Sequence, residues 1–216
     1  MRTYLQLFRS QGLKLVNTYF WNAHLFDLIN GTDTHSMRKQ EDLESSLENL
    51  DNAVSYMVSW SKTLRETQQI LKKISDYSEE RYFVDYGCGK GKVILWSLKN
   101  DILNLGHRYL GIDFDPSLIE IAKKNAIIMN LDPKNFVHAN VLNFHRYPAK
   151  EISFLYNPFD HIVIVKLLET LTLRSEYVIY VNPVHRNLFL NAGFKSFIRK
   201  KSWHANLSYE LFHNGK

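Results

Sequence analysis

A short glycine-rich segment between two apolar runs constrains this chain more than any other feature. The first run ends at Val84 and is followed by Asp85, then by Gly87-Cys88-Gly89-Lys90-Gly91, and the second begins at Val93. This pattern predicts a buried strand, a tight turn and a helix. Glycines at alternate positions let a ligand approach the backbone, and the first N–H groups of the helix are unpaired. The turn is therefore predicted to bind a nucleotide-like ligand.

The spacing of the glycines separates two kinds of nucleotide-binding turn. A dinucleotide-binding turn follows the pattern G-x-G-x-x-G, in which the third glycine allows the helix to pack closely on the strand. Here the third glycine comes one residue early, at Gly91, and Lys92 occupies the place where that pattern needs a glycine. The spacing argues against a nicotinamide-dependent oxidoreductase, which stays open as an alternative.

Length, composition and charge set broad limits. The 216 residues are 45% hydrophobic and 23% charged, which is typical of one globular unit with an accessory segment. No apolar stretch approaches the ~20 residues of a membrane span, and the amino terminus is too polar for a signal peptide, so a cytoplasmic location is expected. The net charge of +5 would assist an anionic partner, and nucleic acid is possible but not indicated.

Cys88 is the only cysteine of the chain, and it lies within the glycine turn. No internal disulfide can form, and we expect no metal site built from cysteine and histidine. No base stands at a fixed spacing from Cys88, which favours a small side chain tolerated beside a ligand over a nucleophile.

The chain divides into two predicted parts. Residues 1–78 are predicted to form a helical N-terminal extension, because apolar residues recur at spacings of three and four from about residue 37 to residue 76. The apolar positions from residue 43 to residue 57 predict one helix, and those from residue 64 to residue 74 predict a second. We expect these helices to cap one face of a sheet. Residues 79–216 are predicted to form the ligand-binding domain.

Strand-like and helix-like segments alternate along residues 79–216, and the third strand-like segment is residues 136–142. This alternation predicts an α/β fold with a Rossmann-like, doubly wound, mostly parallel sheet. Segments 194–203 and 206–213 follow each other without a helix, so we expect an antiparallel C-terminal strand. Such sheets bind ligands at the carboxyl ends of their strands.

Polar residues stand where the predicted strands end. These residues are Asp85, Asp113, Asn140, Asn157 and Asn182. Asp113 closes the second strand, where a carboxylate can accept hydrogen bonds from both hydroxyls of a ribose. A helix cap before Pro116 is the alternative role for Asp113, but Asp115 is better placed for it. Asn157 begins the segment Asn157-Pro158-Phe159, which is either part of an active site or a strand-ending turn, since Asn-Pro is a common turn dipeptide.

Taken together, these segments resemble the motifs of class I S-adenosylmethionine-dependent methyltransferases. The resemblance rests on Val84-Asp85-x-Gly87-x-Gly89-x-Gly91, Gly111-Ile112-Asp113, Asn140 and Asn157-Pro158-Phe159. The chain is most similar to small, mostly uncharacterised microbial members with a Gly-Cys-Gly-Lys-Gly turn and an Asn-Pro-Phe loop. The resemblance covers residues 79–216, and in the extension only Gly31-Thr32-Asp33-Thr34 and Tyr56 share it.

The resemblance implies a cofactor and the residues that bind it. The cofactor would be S-adenosylmethionine, with its amino-acid portion held by Asp85 and its ribose by Asp113. Asn140 replaces the usual aspartate that contacts the adenine amino group, and Val141 would supply the apolar side of the adenine slot. The full implied set is Asp85, Gly87, Cys88, Gly89, Gly91, Asp113, Phe114, Asn140 and Val141.

The resemblance also implies the chemistry of the Asn-Pro-Phe loop. Asn157, Pro158 and Phe159 would be the catalytic residues, because an amide and a backbone carbonyl can accept hydrogen bonds from an amine that is being methylated. The ring of Phe159 would stack on the acceptor, and Tyr56 would also bind it. No metal is expected. The class of the acceptor, methylation at nitrogen or oxygen and the oligomeric state stay open, and a non-catalytic S-adenosylmethionine-binding protein is a further alternative.

Overall fold

The structure is a computed structural model, and it describes residues 2–36, 57–74, 81–144 and 150–215. A seven-stranded sheet forms its centre. The strands are β1 (Tyr82–Tyr86), β2 (Tyr109–Asp113), β3 (Phe136–His138), β4 (Glu151–Tyr156), β5 (Ser175–Val181), β6 (Phe194–Lys200) and β7 (Tyr209–Asn214).

The strand order is β3-β2-β1-β4-β5-β7-β6. Strands β1 to β5 pair in parallel, whereas β7 lies antiparallel between β5 and β6. This arrangement confirms the Rossmann-like, mostly parallel sheet with an antiparallel C-terminal strand. In this sheet β7 is inserted between β5 and β6. A nicotinamide-binding sheet has the strand order 3-2-1-4-5-6 without such an insertion, so the two topologies differ.

Helices precede the sheet and connect its strands. They are α1 (Arg2–Tyr19), a π-helix (Phe20–His24), α2 (Leu25–Asn30), α3 (Ser61–Ile74), α4 (Lys92–Asn100), α5 (Pro116–Ile128), α6 (His161–Arg174) and α7 (Arg186–Asn191). None of the helices in the described part has the length and apolar character that a membrane span requires. Proline opens α5, and the side chain of Asp115 caps that helix by accepting hydrogen bonds from the N–H groups of Ser117 and Leu118.

Apolar side chains cover both faces of the sheet. Alternate residues of a strand point to opposite faces, so Phe83 packs against α3, α4 and α5 whereas Val84 packs against α6 and α7. The parallel strands are therefore buried on both sides, as a continuous run of apolar residues predicts. The carboxyl ends of the central strands stay available for a ligand.

The N-terminal extension contributes to the same apolar core as the sheet. Phe26, Leu64 and Leu71 belong to the cluster that contains Phe83 and Ile94. The helix predicted near residues 64–74 is confirmed by α3, whereas the helix predicted from residue 43 to residue 57 lies almost entirely outside the described residues. The predicted third strand, residues 136–142, is wrong in its length, because β3 ends at His138 and the chain enters a turn at Asn140.

We expect the extension and the sheet to unfold together. Leu64 is fully buried, so Leu64→Ala should lower the free energy of unfolding by about 2–5 kcal/mol through the cavity that it leaves. Urea unfolding followed by tryptophan fluorescence and by far-UV circular dichroism should give one shifted transition with both probes. The exposed Leu173→Ala is the control. Two transitions, of which only one shifts, would mean that the extension is an independent unit.

Candidate functional site

A cleft opens at the carboxyl ends of β1, β2 and β4, where the alternation of strands and helices predicts a ligand. The ends of β1 and β2 contribute Asp85, Gly87, Cys88, Asp113 and Phe114. The end of β4 contributes Tyr156, Asn157, Pro158 and Phe159. Met57 and Ser59 line the cleft from the N-terminal extension. Loops that are far apart in the sequence therefore meet at one edge of the sheet.

The glycine turn is packed too closely for side chains at two of its positions. Gly87 has a φ of +82°, and a Cβ built there would lie 2.6 Å from the Cβ of Pro158. Gly91 has a φ of +87°, and its Cβ would lie 2.7 Å from the ring of Phe136. Both positions combine a left-handed backbone with a close approach, which only glycine satisfies without strain. Gly87 thereby brings the turn into contact with the Asn-Pro-Phe loop.

Asp113 holds the turn through its carboxylate. Its Oδ2 accepts a hydrogen bond from the N–H of Gly89 at 2.7 Å, and its Oδ1 accepts one from the N–H of Asp115 at 3.0 Å. Burial raises the pKa of Asp113 to about 6, and the N–H groups of Asp115 and Gly89 limit the rise. Each carboxylate oxygen has two lone pairs, so Asp113 retains capacity for further donors on the cleft side.

Asp85 closes β1 and is 2% exposed. Its Oδ2 is buried without a hydrogen-bond partner among the described residues. Burial, and secondly the charge of Asp113, raise the pKa of Asp85 well above its usual value. A buried oxygen without a donor costs free energy, and a bound cation or N–H group would remove that cost. Asp85 therefore suits a ligand that brings a positive charge or a hydrogen-bond donor.

The Cys88 thiol is buried beside these carboxylates. Burial, followed by the charges of Asp113 and Asp85, raises the pKa of Cys88 well above its usual value, so the thiol is protonated at neutral pH. A Cβ on Gly111 of β2 would lie 2.9 Å from the Cys88 Sγ. This packing and protonation agree with a small side chain that fills space next to a ligand.

Asn157 is held in an uncommon conformation at the end of β4. Its φ is +38°, in the left-handed region that asparagine tolerates better than most residues. The hydroxyl of Tyr180, on β5, donates to the Asn157 Oδ1 at 3.1 Å. The Tyr180 hydroxyl also accepts the N–H of His185 at 3.4 Å. Phe159 is 6% exposed and lines the cleft with Pro158.

Four of the residues predicted to bind the cofactor are not among the described residues that line the cleft, namely Gly89, Gly91, Asn140 and Val141. The Asn140 Oδ1 accepts the N–H of Leu142 at 2.9 Å. Tyr56 lies outside the described residues, although its neighbours Met57 and Ser59 line the cleft. The roles of Asn140, Val141 and Tyr56 stay predictions.

Two lysines of the glycine turn have a larger role than the sequence indicated. Lys90 and Lys92 are each 2% exposed, and their ammonium groups contact the N-terminal extension. In the sequence, Lys92 stands out only as the residue in the place of a glycine. Both lysines lie between strongly apolar segments. Because lysine is rarely buried without a partner, this position is a signal that each lysine binds another part of the chain.

A doubly wound sheet with a glycine turn after β1 and carboxylates that end β1 and β2 defines a Rossmann-like protein that binds a nucleotide-containing cofactor. Residues 83–186 match the family described as a methyltransferase domain. This part of the chain is similar to methyltransferase domains, and S-adenosylmethionine is the cofactor that the match implies. No curated protein sequence matches the chain significantly.

Solved structures share this fold at low sequence identity. The methyltransferase domain of bacterial CtHen1-C is 13% identical, with a TM-score of 0.53 over 72% of this chain and 98% of that one. TrmK from M. capricolum, solved with S-adenosyl-homocysteine, is 14% identical, with a TM-score of 0.53 over 69% of this chain and 68% of that one. The chain covers 49% of a predicted N6-adenine-specific DNA methylase from Listeria monocytogenes, at a TM-score of 0.49 and 15% identity over 68% of this chain.

The residues of the cleft fit S-adenosylmethionine. The buried Oδ2 of Asp85 lacks a donor, and the α-ammonium group of the cofactor can supply one. Asp113 has free lone pairs for ribose hydroxyls while it holds the backbone of Gly89. The close approach of Gly87 to Pro158 excludes side chains from the turn where the cofactor would meet the backbone.

We expect cofactor binding to weaken in acid. Asp113 accepts ribose hydroxyls best as a carboxylate, so protonation through its pKa of about 6 should raise the Kd for S-adenosyl-homocysteine. The rise should approach roughly tenfold for each pH unit below 6. Calorimetry from about pH 5 to about pH 8, which is about one unit below the pKa and about two units above it, measures the Kd.

Asp113→Asn separates this effect from the titration of Asp85. The variant should raise the Kd roughly tenfold or more at pH 7.5, because charge-assisted hydrogen bonds are lost. It should also remove the part of the pH dependence near pH 6. A folded Asp113→Asn variant with the original Kd and pH profile would contradict the assignment of Asp113 to the ribose.

Proposed function

We propose that this protein transfers a methyl group from S-adenosylmethionine to an amine nitrogen that Asn157 positions. The observation that carries the proposal is the side chain of Asn157, which lines the cleft and whose amide oxygen is anchored by Tyr180. Asp85, Gly87, Cys88, Gly89, Gly91, Asp113 and Phe114 would bind the cofactor, with Asn140 and Val141 at the adenine. Residues 79–216 would form the catalytic domain and residues 1–78 an extension that borders the acceptor.

The amide of Asn157 suits the role of a fixed hydrogen-bond acceptor. Its Oδ1 has two lone pairs, and the Tyr180 hydroxyl engages one, so the second can accept an N–H of the acceptor. Burial raises the pKa of Tyr180 to about 12, so this hydroxyl stays protonated and remains a donor. The left-handed backbone of Asn157 and the contact between Pro158 and Gly87 fix the loop against the cofactor turn.

Fixed positions of this kind can account for the catalysis. S-adenosylmethionine supplies an electrophilic methyl group when it is bound. The Asn157 oxygen would orient the amine so that its lone pair points toward the cofactor, and Phe159 would support one side of the acceptor. An amine that is neutral before it binds needs no base for attack, and it can lose its proton to solvent after transfer.

The lining of the cleft favours an acceptor nitrogen that is uncharged at neutral pH. Met57, Ser59, Tyr156 and Phe159 line the cleft together with Asn157 and carry no charge, and burial raises the pKa of Tyr156 further above its usual value. The charged residues that line the cleft are Asp85, Lys92 and Asp113, which belong to the proposed cofactor side. An amide or aromatic amine already has an uncharged nitrogen, whereas an alkylammonium group must first lose a proton. Fractionation of a cell extract after incubation with labelled S-adenosylmethionine, into protein, nucleic acid and small molecules, tests which class takes up label.

Asn157→Ala should separate positioning from cofactor binding. We expect the Kd for S-adenosyl-homocysteine to change little, while the transfer rate falls on the order of 100-fold or more because the amine loses its orientation. Isothermal calorimetry and transfer of labelled methyl groups measure the two quantities. If Asn157→Ala lowered the melting temperature and left the transfer rate intact, the Asn-Pro-Phe loop would be only a strand-ending turn.

Tyr180→Phe tests the anchor of Asn157 without changing the loop. The variant removes one hydroxyl and keeps the ring, so we expect a lower kcat, on the order of tenfold, with an unchanged Kd for S-adenosyl-homocysteine. The control is Tyr177→Phe on the same strand. Equal kcat values for Tyr180→Phe and the original protein would contradict a role for this hydroxyl. Cofactor binding without transfer to any fraction of an extract would leave a non-catalytic binding protein.

A further inference from the structure

The loop of residues 31–36 in the N-terminal extension contacts the cofactor turn through an ion pair between the buried Lys90 and the half-exposed Asp33. The Nζ of Lys90 lies 2.9 Å from the Oδ2 of Asp33 and also contacts the Oγ of Ser36. The Lys90 side chain is only 3% exposed. A buried ammonium group requires such partners, because its transfer from water is costly. Lys90 lies between Gly89 and Gly91, so a contact that fixes Lys90 also fixes the backbone of the glycine turn.

Asn125 joins the same loop to the backbone of the turn. Its Nδ2 donates to the carbonyl of Asp33 at 3.1 Å and to the carbonyl of Lys90 at 3.2 Å. Its Oδ1 accepts the N–H of Asp33 at 3.0 Å. Asn125 is 2% exposed and lies on α5. One amide therefore connects the loop, the turn and the helix that follows Asp113.

Asp27 fixes the shape of the loop from within. Its carboxylate accepts hydrogen bonds from the side chains of Thr32 and Thr34 and from the N–H groups of Thr34 and His35. Burial would raise the pKa of Asp27, but the hydrogen bonds of His35, Thr32 and Thr34 hold it below its usual value. Asp27, Asp33 and His35 lie close together, but these donors and the Lys90 ammonium already satisfy the carboxylates, so the cluster carries no case for a metal.

Lys92 makes a second connection between the turn and the extension. Its Nζ lies 3.3 Å from the carbonyl oxygen of Asn22 and 3.4 Å from that of Ala23, both in the π-helix. It also lies 4.1 Å from the centre of the Phe26 ring. Burial lowers the pKa of Lys92 to about 7. The ammonium groups of Lys90 and Lys92 thus contact the extension. The carboxylate of Asp113, which lines the cleft, binds the N–H of Gly89 in the same turn.

We infer that Asp33 and Lys90 are positioning residues for S-adenosylmethionine, and that cofactor binding is coupled to the order of residues 31–36. The inference rests on the glycine turn as the cofactor site. The turn would offer its backbone to the cofactor, while Asp33 binds the Lys90 side chain and shares Asn125 with the Lys90 carbonyl. If the cofactor binds best to one position of the turn, its binding must stabilise the docked conformation of residues 31–36. Docking of these residues must then increase the affinity for the cofactor by the same factor.

A double-mutant cycle tests this coupling. Asp33→Asn leaves the buried Lys90 ammonium without its charged partner, so we expect the Kd for S-adenosyl-homocysteine to rise about 5- to 150-fold. Lys90→Met removes the charge and keeps the length of the side chain. The double variant should bind more tightly than Asp33→Asn alone, because no buried charge is left unpaired.

The matched control for this cycle is Glu120→Gln, which breaks the exposed ion pair with Lys124 on α5. That variant should keep the original Kd, because exposed pairs contribute little. A folded Asp33→Asn variant that loses melting temperature but keeps the original Kd would overturn the inference, since Asp33 would then act on stability alone.

Hydrogen exchange tests the same coupling in the unmodified protein and does not depend on whether a variant folds. S-adenosyl-homocysteine should slow the exchange of the Asp33, Thr34 and His35 amides, which are hydrogen-bonded in the docked loop. The amides of the β6–β7 hairpin, which pair away from the turn, should slow less. Equal exchange of the loop amides with and without the ligand would overturn the inference. Both experiments use no acceptor, so a failure of methyl transfer with normal coupling would count against the role of Asn157 and not against Asp33.

Discussion

The close packing of the glycine turn is the constraint on which the rest of the structure depends. Gly87 lies against Pro158, and Gly91 lies against the ring of Phe136, with no space for a Cβ at either position. The first contact joins the turn after β1 to the loop after β4, and the second holds the start of α4 near β3. A side chain at Gly87 would separate the two loops that border the cleft, so cofactor binding and acceptor binding depend on the same close approach.

Four charged side chains are buried at the turn and at the start of α4. The carboxylates of Asp85 and Asp113 border the cleft, and the ammonium groups of Lys90 and Lys92 contact the extension, although Lys92 also lines the cleft. Burial of four charged side chains is costly unless each finds partners. Asp113, Lys90 and Lys92 have partners within the chain, whereas the Oδ2 of Asp85 has none among the described residues. The ligand is thus the natural source of its missing donor.

The extension is part of the site in two ways. Met57 and Ser59 border the cleft beside the Asn-Pro-Phe loop, and residues 31–36 support the turn from behind. Trp60 stacks on His204 at 4.3 Å, and the Thr63 hydroxyl donates to the carbonyl of Asn206, so the extension also contacts the segment before β7. These contacts bring the extension, which was predicted to cap a face of the sheet, to the edge of the cleft.

The sequence by itself determined the elements and the edge of the sheet that holds the site. Apolar periodicity and the glycine spacing are local signals, so the strand before Asp85, the turn and the Asn157 loop could be predicted from neighbouring residues. The length of β3 could not, because Asn140 turns the chain through a hydrogen bond that strand propensity does not reveal. Only the tertiary structure decided that Tyr180 anchors Asn157 and that Lys90 pairs with Asp33 across 57 positions. Such pairs depend on how segments that are far apart in the sequence pack together, and a local sequence pattern does not show which distant segments come into contact.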